Sequence, residues 1–273
     1  MTALPFFEVD VFSRTPFTGN PLGVIANADV LDSDQMQRIA AWTNFSETTF
    51  ILQPRDSRAD YSIRIFTPRE ELPFAGHPTL GTAQVWLEQN TDSNKQELVQ
   101  DCAAGLITLR QNEGKIFFAT PERTKTDALT DAEMAEVLQR LNLHESDVVA
   151  SSWGVNGPLW RLIQLKDAQA VRDIQPSAPL PNLRVGVVGL EDSSSPYTYE
   201  IRAFNPGGED PVTGSLHGAM AQWMRERAQV PACYTAQQGS QVGRAGEIFL
   251  EDDATDIWVG GFVLPCVRGE IRI

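Results

Sequence analysis

The chain contains a diverged copy of part of itself, and that repeat limits the folds open to it. Tyr61 to Gln84, YSIRIFTPREELPFAGHPTLGTAQ, aligns without a gap with Tyr199 to Gln222, YEIRAFNPGGEDPVTGSLHGAMAQ, at an offset of 138 residues, and 10 of the 24 positions are identical. The identities are Tyr61/Tyr199, Ile63/Ile201, Arg64/Arg202, Phe66/Phe204, Pro68/Pro206, Glu71/Glu209, Pro73/Pro211, Gly76/Gly214, Ala83/Ala221 and Gln84/Gln222. Residue frequencies alone would give about one or two. A period this long lies far outside the roughly 20 to 50 residues of a solenoid unit and describes two homologous domains instead.

Each copy reads as a strand, a turn rich in Pro and Gly, then a helix. Ile63 and Ile65 alternate with polar neighbours, as do Ile201 and Ala203 in the second copy. The helices are expected to begin near His77 and Ser215, with Pro78 at the first helical position and Ser215 as an N-cap. Leu80, Ala83, Val85, Trp86 and Leu87 spread apolar surface almost all round the first helix, as Leu216, Ala219, Met220, Trp223 and Met224 do round the second, which is the pattern of helices wrapped by sheet.

Met36, Ile39, Ala40 and Thr43 follow helical spacing after Asp32, and Thr130 with Glu133 forms a capping box ahead of Met134, Val137, Leu138 and Leu141. Short strand-like runs fill most of the rest, among them Ile107 to Leu109, Ile116 to Ala119, Arg184 to Val188, Glu247 to Leu250 and Ile257 to Val259. The polar stretch Pro121 to Thr130 is the natural boundary. The expected architecture is α+β, with two pseudo-symmetric domains, each a curled sheet around a central helix. They would span residues 1–120 and 121–261, with a C-terminal strand at 262–273 able to return to the first.

Composition narrows the partners. Of 273 residues, 42% are apolar and 21% charged, which suits a packed globular protein and excludes disorder. A net charge of −14 argues against nucleic acid and anionic membranes, so a small molecule is the expected partner. MTALPFFEVDVF has no basic stretch ahead of an apolar one, and no apolar run approaches the roughly 18 residues of a membrane span, so a cytoplasmic location is the expectation. Cys102, Cys233 and Cys266 are widely spaced, outside any C-x-x-C pattern, and read as buried thiols. A metal site would have to draw on His77, His217 and Asp210, without a His-x-x-x-His spacing to support it, and none is expected.

Helices that begin with small residues offer unpaired N–H groups and a positive dipole end, suited to a carboxylate or to enolate-like charge. The two copies differ where titratable chemistry would sit: His77 matches Ser215, and Leu72 matches Asp210. Glu47, in NFSETTFIL, stands in a segment that reads as a strand, between Phe45, Thr49 and Ile51 on one face. Two readings are open: a carboxylate pointing to solvent, or one facing an apolar cleft, where desolvation would bring its pKa toward working pH. Bland readings stand beside the others too. His77 could cap or simply hydrogen-bond, Asp210 before Pro211 could start a turn, Ser215 could be only an N-cap, and His217 could be helix surface or cleft lining.

VDVFSRTPFTGNPLGVI at Val9 to Ile25, NFSETTFIL at Asn44 to Leu52, FAGHPTLGTA at Phe74 to Ala83 and EDPVTGSLHGAMA at Glu209 to Ala221 resemble the signature segments of the phenazine-biosynthesis (PhzF) family. QQGSQVGRAG at Gln237 to Gly246, followed by WVGG at Trp258 to Gly261, is a weaker match. The resemblance spans nearly the whole chain. It implies a diaminopimelate-epimerase-like fold with the active site between two domains, a homodimer, no cofactor, and isomerase or epimerase chemistry on a small carboxylate-bearing substrate. Glu47 would then be the general acid/base, His77, Asp210 and Ser215 would bind substrate and assist proton delivery, and Gly76 and Gly214 would supply backbone donors. Amino-acid racemases of similar architecture use a Cys at each helix start, and His77 with Ser215 excludes that two-thiol route here. The rival expectation is a non-catalytic small-molecule-binding or interaction protein that kept the cleft.

Overall fold

The computed structural model describes residues 2–92, 95–177 and 180–273, and the chain divides into two compact units, residues 1–119 with 260–273 and residues 120–259. In the first unit, strands pair in the order Val263–Arg272, Ala3–Val11, Asn20–Ile25, Thr48–Leu52, Tyr61–Phe66, Glu97–Cys102, Gly105–Asn112, Lys115–Ala119. Six consecutive strands, from Ala3–Val11 to Gly105–Asn112, are joined antiparallel, parallel, antiparallel, parallel, antiparallel. The second unit repeats that alternation through Val148–Val155, Leu159–Leu165, Arg184–Leu190, Tyr199–Asn205, Cys233–Gln238 and Gly246–Asp252. A repeat of 24 residues in sequence is thus one visible part of a whole-domain repeat in topology.

The helix Gly76–Gln89 touches Ala3–Val11 and Val263–Arg272 at one end of the first ladder and Lys115–Ala119 at the other, so the sheet bends round it. From Gly76 through Val85 only Gln84 escapes full burial. Gly81 lies where the helix meets the sheet most closely, and a Cβ there would stand 2.5 Å from Leu22 and 3.0 and 3.1 Å from Val9 and Val11. The helix Gly214–Glu226 is buried over almost its whole length in the second unit, with Leu216 filling the space left by the missing side chain of Gly186.

A second apolar layer covers the outside of each sheet. Met36 and Ala40 of the helix Ser33–Thr43 pack on Leu4, Ile25, Phe50 and Phe66, while Val137 and Leu141 of Asp131–Leu141 pack on Ile163, Val185 and Phe204. With both faces covered, the strands lose the simple alternation expected of them: in Tyr61–Phe66 all residues except Arg64 are buried, Ser62 included. Both outer helices carry capping boxes, Thr130 with Glu133 as read from the sequence and Asp32 with Gln35 in addition.

The starts of the central helices correct the sequence reading. Ala75 and Thr213 are the N-caps, so Pro78 is the third helical residue and Ser215 the second. Proline is still tolerated there, because a first-turn N–H has no intrahelical acceptor. Of the three cysteines only Cys102 is buried; Cys233 is exposed and Cys266 intermediate, and all are free thiols. No helix among the described residues is long and apolar enough to cross a membrane.

Gly81→Ala tests the close approach. Alanine gains about 1 kcal/mol of helix propensity, yet overpacking a closed core costs roughly 1–3 kcal/mol, and Val9, Val11 and Leu22 are at most 1% exposed. A net loss of up to about 2 kcal/mol in urea unfolding is expected; a stabilised variant would show that the sheet yields.

Candidate active site

In the first unit, Glu47 sits in the short connection between Ser33–Thr43 and Thr48–Leu52, just ahead of the strand. Asn44 closes the helix in the left-handed conformation, φ 57°, with its N–H on the Ala40 carbonyl. The Phe45 ring then lies over Gly23, where a Cβ would come within 3.1 Å of it. Thr43 and Thr48 join hydroxyls at 2.9 Å across the base of the connection. One residue further on, the Thr49 hydroxyl meets that of Thr82 at 2.8 Å, tying the strand to the central helix. The result brings Glu47 Oε2 to 3.5 Å from His77 Nδ1, with the Glu47 side chain 17% exposed and that of His77 5%. Of the two orientations open for Glu47, the sheltered one is observed.

Burial pushes the His77 imidazole down to about 3, with the Pro21 carbonyl opposing that shift only in part. His77 is therefore neutral at ordinary pH, and its approach to Glu47 is a carboxylate beside a neutral ring, not an ion pair. Its Nε2 is buried without a hydrogen-bond partner among the described residues. Gly76 and His77 open a helix that no side chain caps, and its first intrahelical bond runs from Thr79 N to Ala75 O at 3.2 Å. The N–H groups of Gly76 and His77 therefore have no acceptor within the helix.

In the second unit the corresponding turn is clamped from outside. Arg202 holds Glu209 through two bonds of 2.8 and 2.6 Å and also reaches the Ile174 carbonyl at 2.7 Å, just as Arg64 holds Glu71 at 2.7 and 2.6 Å in the first unit. Asp210 follows, its Oδ2 accepting from the Thr213 hydroxyl at 2.7 Å. Thr213 is the N-cap residue of Gly214–Glu226, yet its side chain turns back to Asp210 and makes no cap, leaving this helix uncapped as well. Ser215 Oγ accepts from the Trp160 indole at 3.2 Å and its carbonyl from Asn156 Nδ2 at 2.8 Å. Because an indole N–H only donates, the Ser215 hydroxyl proton remains available to another acceptor.

His217 is wholly buried, unlike either the surface or the lining position foreseen for it, and burial pushes it too down to about 3. Its Nδ1 meets Tyr199 Oη at 3.1 Å and its Nε2 meets Gln238 Oε1 at 3.0 Å, so both ring nitrogens are used inside the unit. Among the described residues no group of three or more His, Cys, Asp or Glu could hold a metal ion. Thr213, Trp160, Asn156 and Gln238 were missed in the sequence. Gln238 alone left a signal there, since the offset of 138 pairs it with Gln100 and pairs His217 with Thr79, and Gln100 Nε2 donates to Thr79 at 3.1 Å.

Residues 9–258 match the family model of phenazine biosynthesis-like proteins. The chain belongs to the PhzF family. It is 31% identical to the trans-2,3-dihydro-3-hydroxyanthranilate isomerase of Pseudomonas fluorescens, over 96% of this chain and 97% of that one. It is 33% identical to a Schizosaccharomyces pombe protein named antisense-enhancing sequence 1, over 99% of each. The crystal structure of a PhzF-family protein from Enterococcus faecalis superposes with a TM-score of 0.82 at 26% identity, covering 100% of both chains. The protein is accordingly a PhzF-type isomerase with the α+β fold of that family.

The two neutral histidines set an acid limit on stability. An unfolded histidine binds a proton below about pH 6.5 while these rings stay neutral to about 3, so the unfolded chain binds more protons and stability is lost as the pH is lowered through that window. His77→Asn removes one such group. Its loss of unfolding free energy between pH 7 and pH 5 is expected to be smaller than the wild type's by up to about 2 kcal/mol, measured by urea unfolding; equal losses would mean that His77 is protonated in the fold.

Proposed function

We propose that Glu47 is the general acid/base of the isomerisation, taking a proton from one carbon of a small carboxylate-bearing substrate and returning it to another. The carrying observation is the sheltered Glu47 carboxylate 3.5 Å from a neutral, buried His77. A carbon acid needs a base that keeps its proton long enough to hand it back, and a neighbouring neutral imidazole can donate a hydrogen bond to the charge that develops without competing as a cation. One proton moves and one returns, so the reaction needs no other reactant. His77, Asp210 and Ser215 take substrate-binding roles, and the uncapped N–H groups of Gly76 and Gly214 suit a carboxylate. Trans-2,3-dihydro-3-hydroxyanthranilate, which the Pseudomonas relative's name gives as its substrate, is the first compound to try.

The homodimer expected from the resemblance has a candidate surface in the first unit. A groove of about 980 Å³ runs between Ser33–Thr43 and the end of Val263–Arg272, with Phe6, Ile39, Phe45 and Ile271 along it and Trp42 80% exposed at its edge. Arg38 and Arg272 share it with Glu8 and Glu270. An apolar groove with charges of both signs would suit a second copy of this chain meeting it about a two-fold axis.

Glu47→Gln should lower kcat by at least about 100-fold, the lower bound for losing a positioned base, with KM little changed and deuterium incorporation from solvent abolished. Retained exchange would remove Glu47 from the mechanism. Trp42→Asp should convert a particle of twice 30.2 kDa into one of 30.2 kDa in light scattering, and a wild type already monomeric at micromolar concentration would end the dimer reading.

A further inference from the structure

We infer that His217 is a positioning residue for this reaction: its Nε2–H donates to Gln238 Oε1 and so anchors a buried hydrogen-bond chain that ends on the Asp210 carboxylate. The inference rests on the substrate-binding role proposed for Asp210. The direction follows from backbone groups whose roles are not in doubt. Gln238 Oε1 accepts from the Thr213 backbone N–H at 3.0 Å, and Gln238 Nε2 donates to the Asp210 carbonyl at 2.9 Å, so the amide has one possible orientation. His217 Nε2, 3.0 Å from that same Oε1, must then carry the ring proton. In a neutral ring Nδ1 is left as the acceptor for the Tyr199 hydroxyl at 3.1 Å. The second amide proton of Gln238 goes to Thr213 Oγ1 at 3.0 Å, and the Thr213 hydroxyl, already accepting, gives its own proton to Asp210 Oδ2 at 2.7 Å. The chain runs from Tyr199 through His217, Gln238 and Thr213 to Asp210, and the first three of these are at most 1% exposed.

The other half of the molecule supplies an independent comparison. At the offset of 138, Leu72 stands for Asp210, Ala75 for Thr213 and Thr79 for His217, and Tyr61 matches Tyr199; Gln100 falls on Gln238 in sequence, although in the ladder it stands opposite Tyr61 where Ala236 stands opposite Tyr199. The unit without a carboxylate at that place joins Tyr61 to Gln100 at 3.4 Å and Gln100 to Thr79 at 3.1 Å, and it has neither the imidazole nor the N-cap hydroxyl. Histidine, threonine and aspartate occur together in one copy and are all replaced in the other. That is what a device for holding Asp210 requires, and core filling alone does not.

Two measurements test it. Long-range 1H–15N spectra of the intact protein should show His217 as the Nε2–H tautomer, unchanged between pH 5 and pH 8, and an Nδ1–H tautomer would overturn the inference without any assay. With trans-2,3-dihydro-3-hydroxyanthranilate as substrate, His217→Leu should lower kcat/KM by about tenfold or more, the scale of one lost buried hydrogen bond. His217→Gln, which can still donate to Gln238, should recover most of that loss. Equal activity in the two variants, both folded, would overturn the inference; if the leucine variant does not fold, Thr213→Val takes its place, and unchanged kcat/KM there would do the same. Glu47→Gln run alongside separates the two ideas, because its retained activity would sink the Glu47 reading while leaving the tautomer and the rescue to judge His217.

Discussion

The structure depends on burying a helix inside a sheet and leaving its first turn uncapped. Both Gly76–Gln89 and Gly214–Glu226 are apolar almost all round, so sheet must enclose them, and enclosure removes water as a partner for their terminal N–H groups. A buried helix end without a cap is costly unless something occupies it. The outer helices, exposed to solvent on one face, carry full capping boxes, whereas the inner ones have Ala75, which cannot cap, and Thr213, which is turned to another task. Among the α-helices of the described residues, the omission is thus confined to the two central ones.

Burial also decides what the histidines can do. In water an imidazole would be part-charged near neutrality; here both His77 and His217 are driven down to about 3. For His217 neutrality is what lets one nitrogen donate and the other accept within a closed network. For His77 it leaves a donor beside the Glu47 carboxylate without a positive charge to hold that carboxylate ionised. Two residues of one type serve opposite purposes because the first keeps a buried nitrogen without a partner and the second has none to spare.

The repeat made the fold legible, since ten identities over 24 positions already required two homologous domains, and helices apolar all round already required enclosure. The family segments pointed to Glu47, His77, Asp210 and Ser215, and of these the fold of the first unit sets Glu47 beside His77, which no spacing in the sequence marks. What stayed hidden had a common physical cause. Helix starts were placed one or two residues late because glycines at 76 and 214 look like turn residues, while the backbone turns helical at them. Strand alternation failed where the second face was covered too, by the outer helix at Phe66 and by Asp101 and Arg55 at Ser62. Gln238, Trp160 and Asn156 meet partners far off in the chain, and Thr213, at an N-cap position, bonds Asp210 three residues back instead of capping; no local pattern marks such residues. The three cysteines differ, Cys102 buried, Cys233 exposed and Cys266 between them, and no local pattern separates them.

The two copies show which parts of the unit tolerate change. The clamp outside the turn is the same in both, an arginine holding a glutamate through paired bonds seven residues on, Arg64 with Glu71 and Arg202 with Glu209. Just beyond it the copies part: Leu72 against Asp210, Ala75 against Thr213, His77 against Ser215, Thr79 against His217. A bidentate arginine clamp fixes the backbone path irrespective of what the next residues carry, so the helix start is delivered to the same place in each unit while its side chains are free to diverge. One copy could then collect a neutral imidazole beside a carboxylate, and the other a carboxylate held by a directed chain of hydrogen bonds. Duplication gives two frames of one shape, and the side chains that differ between them at the helix start are set by substitution at those four paired positions.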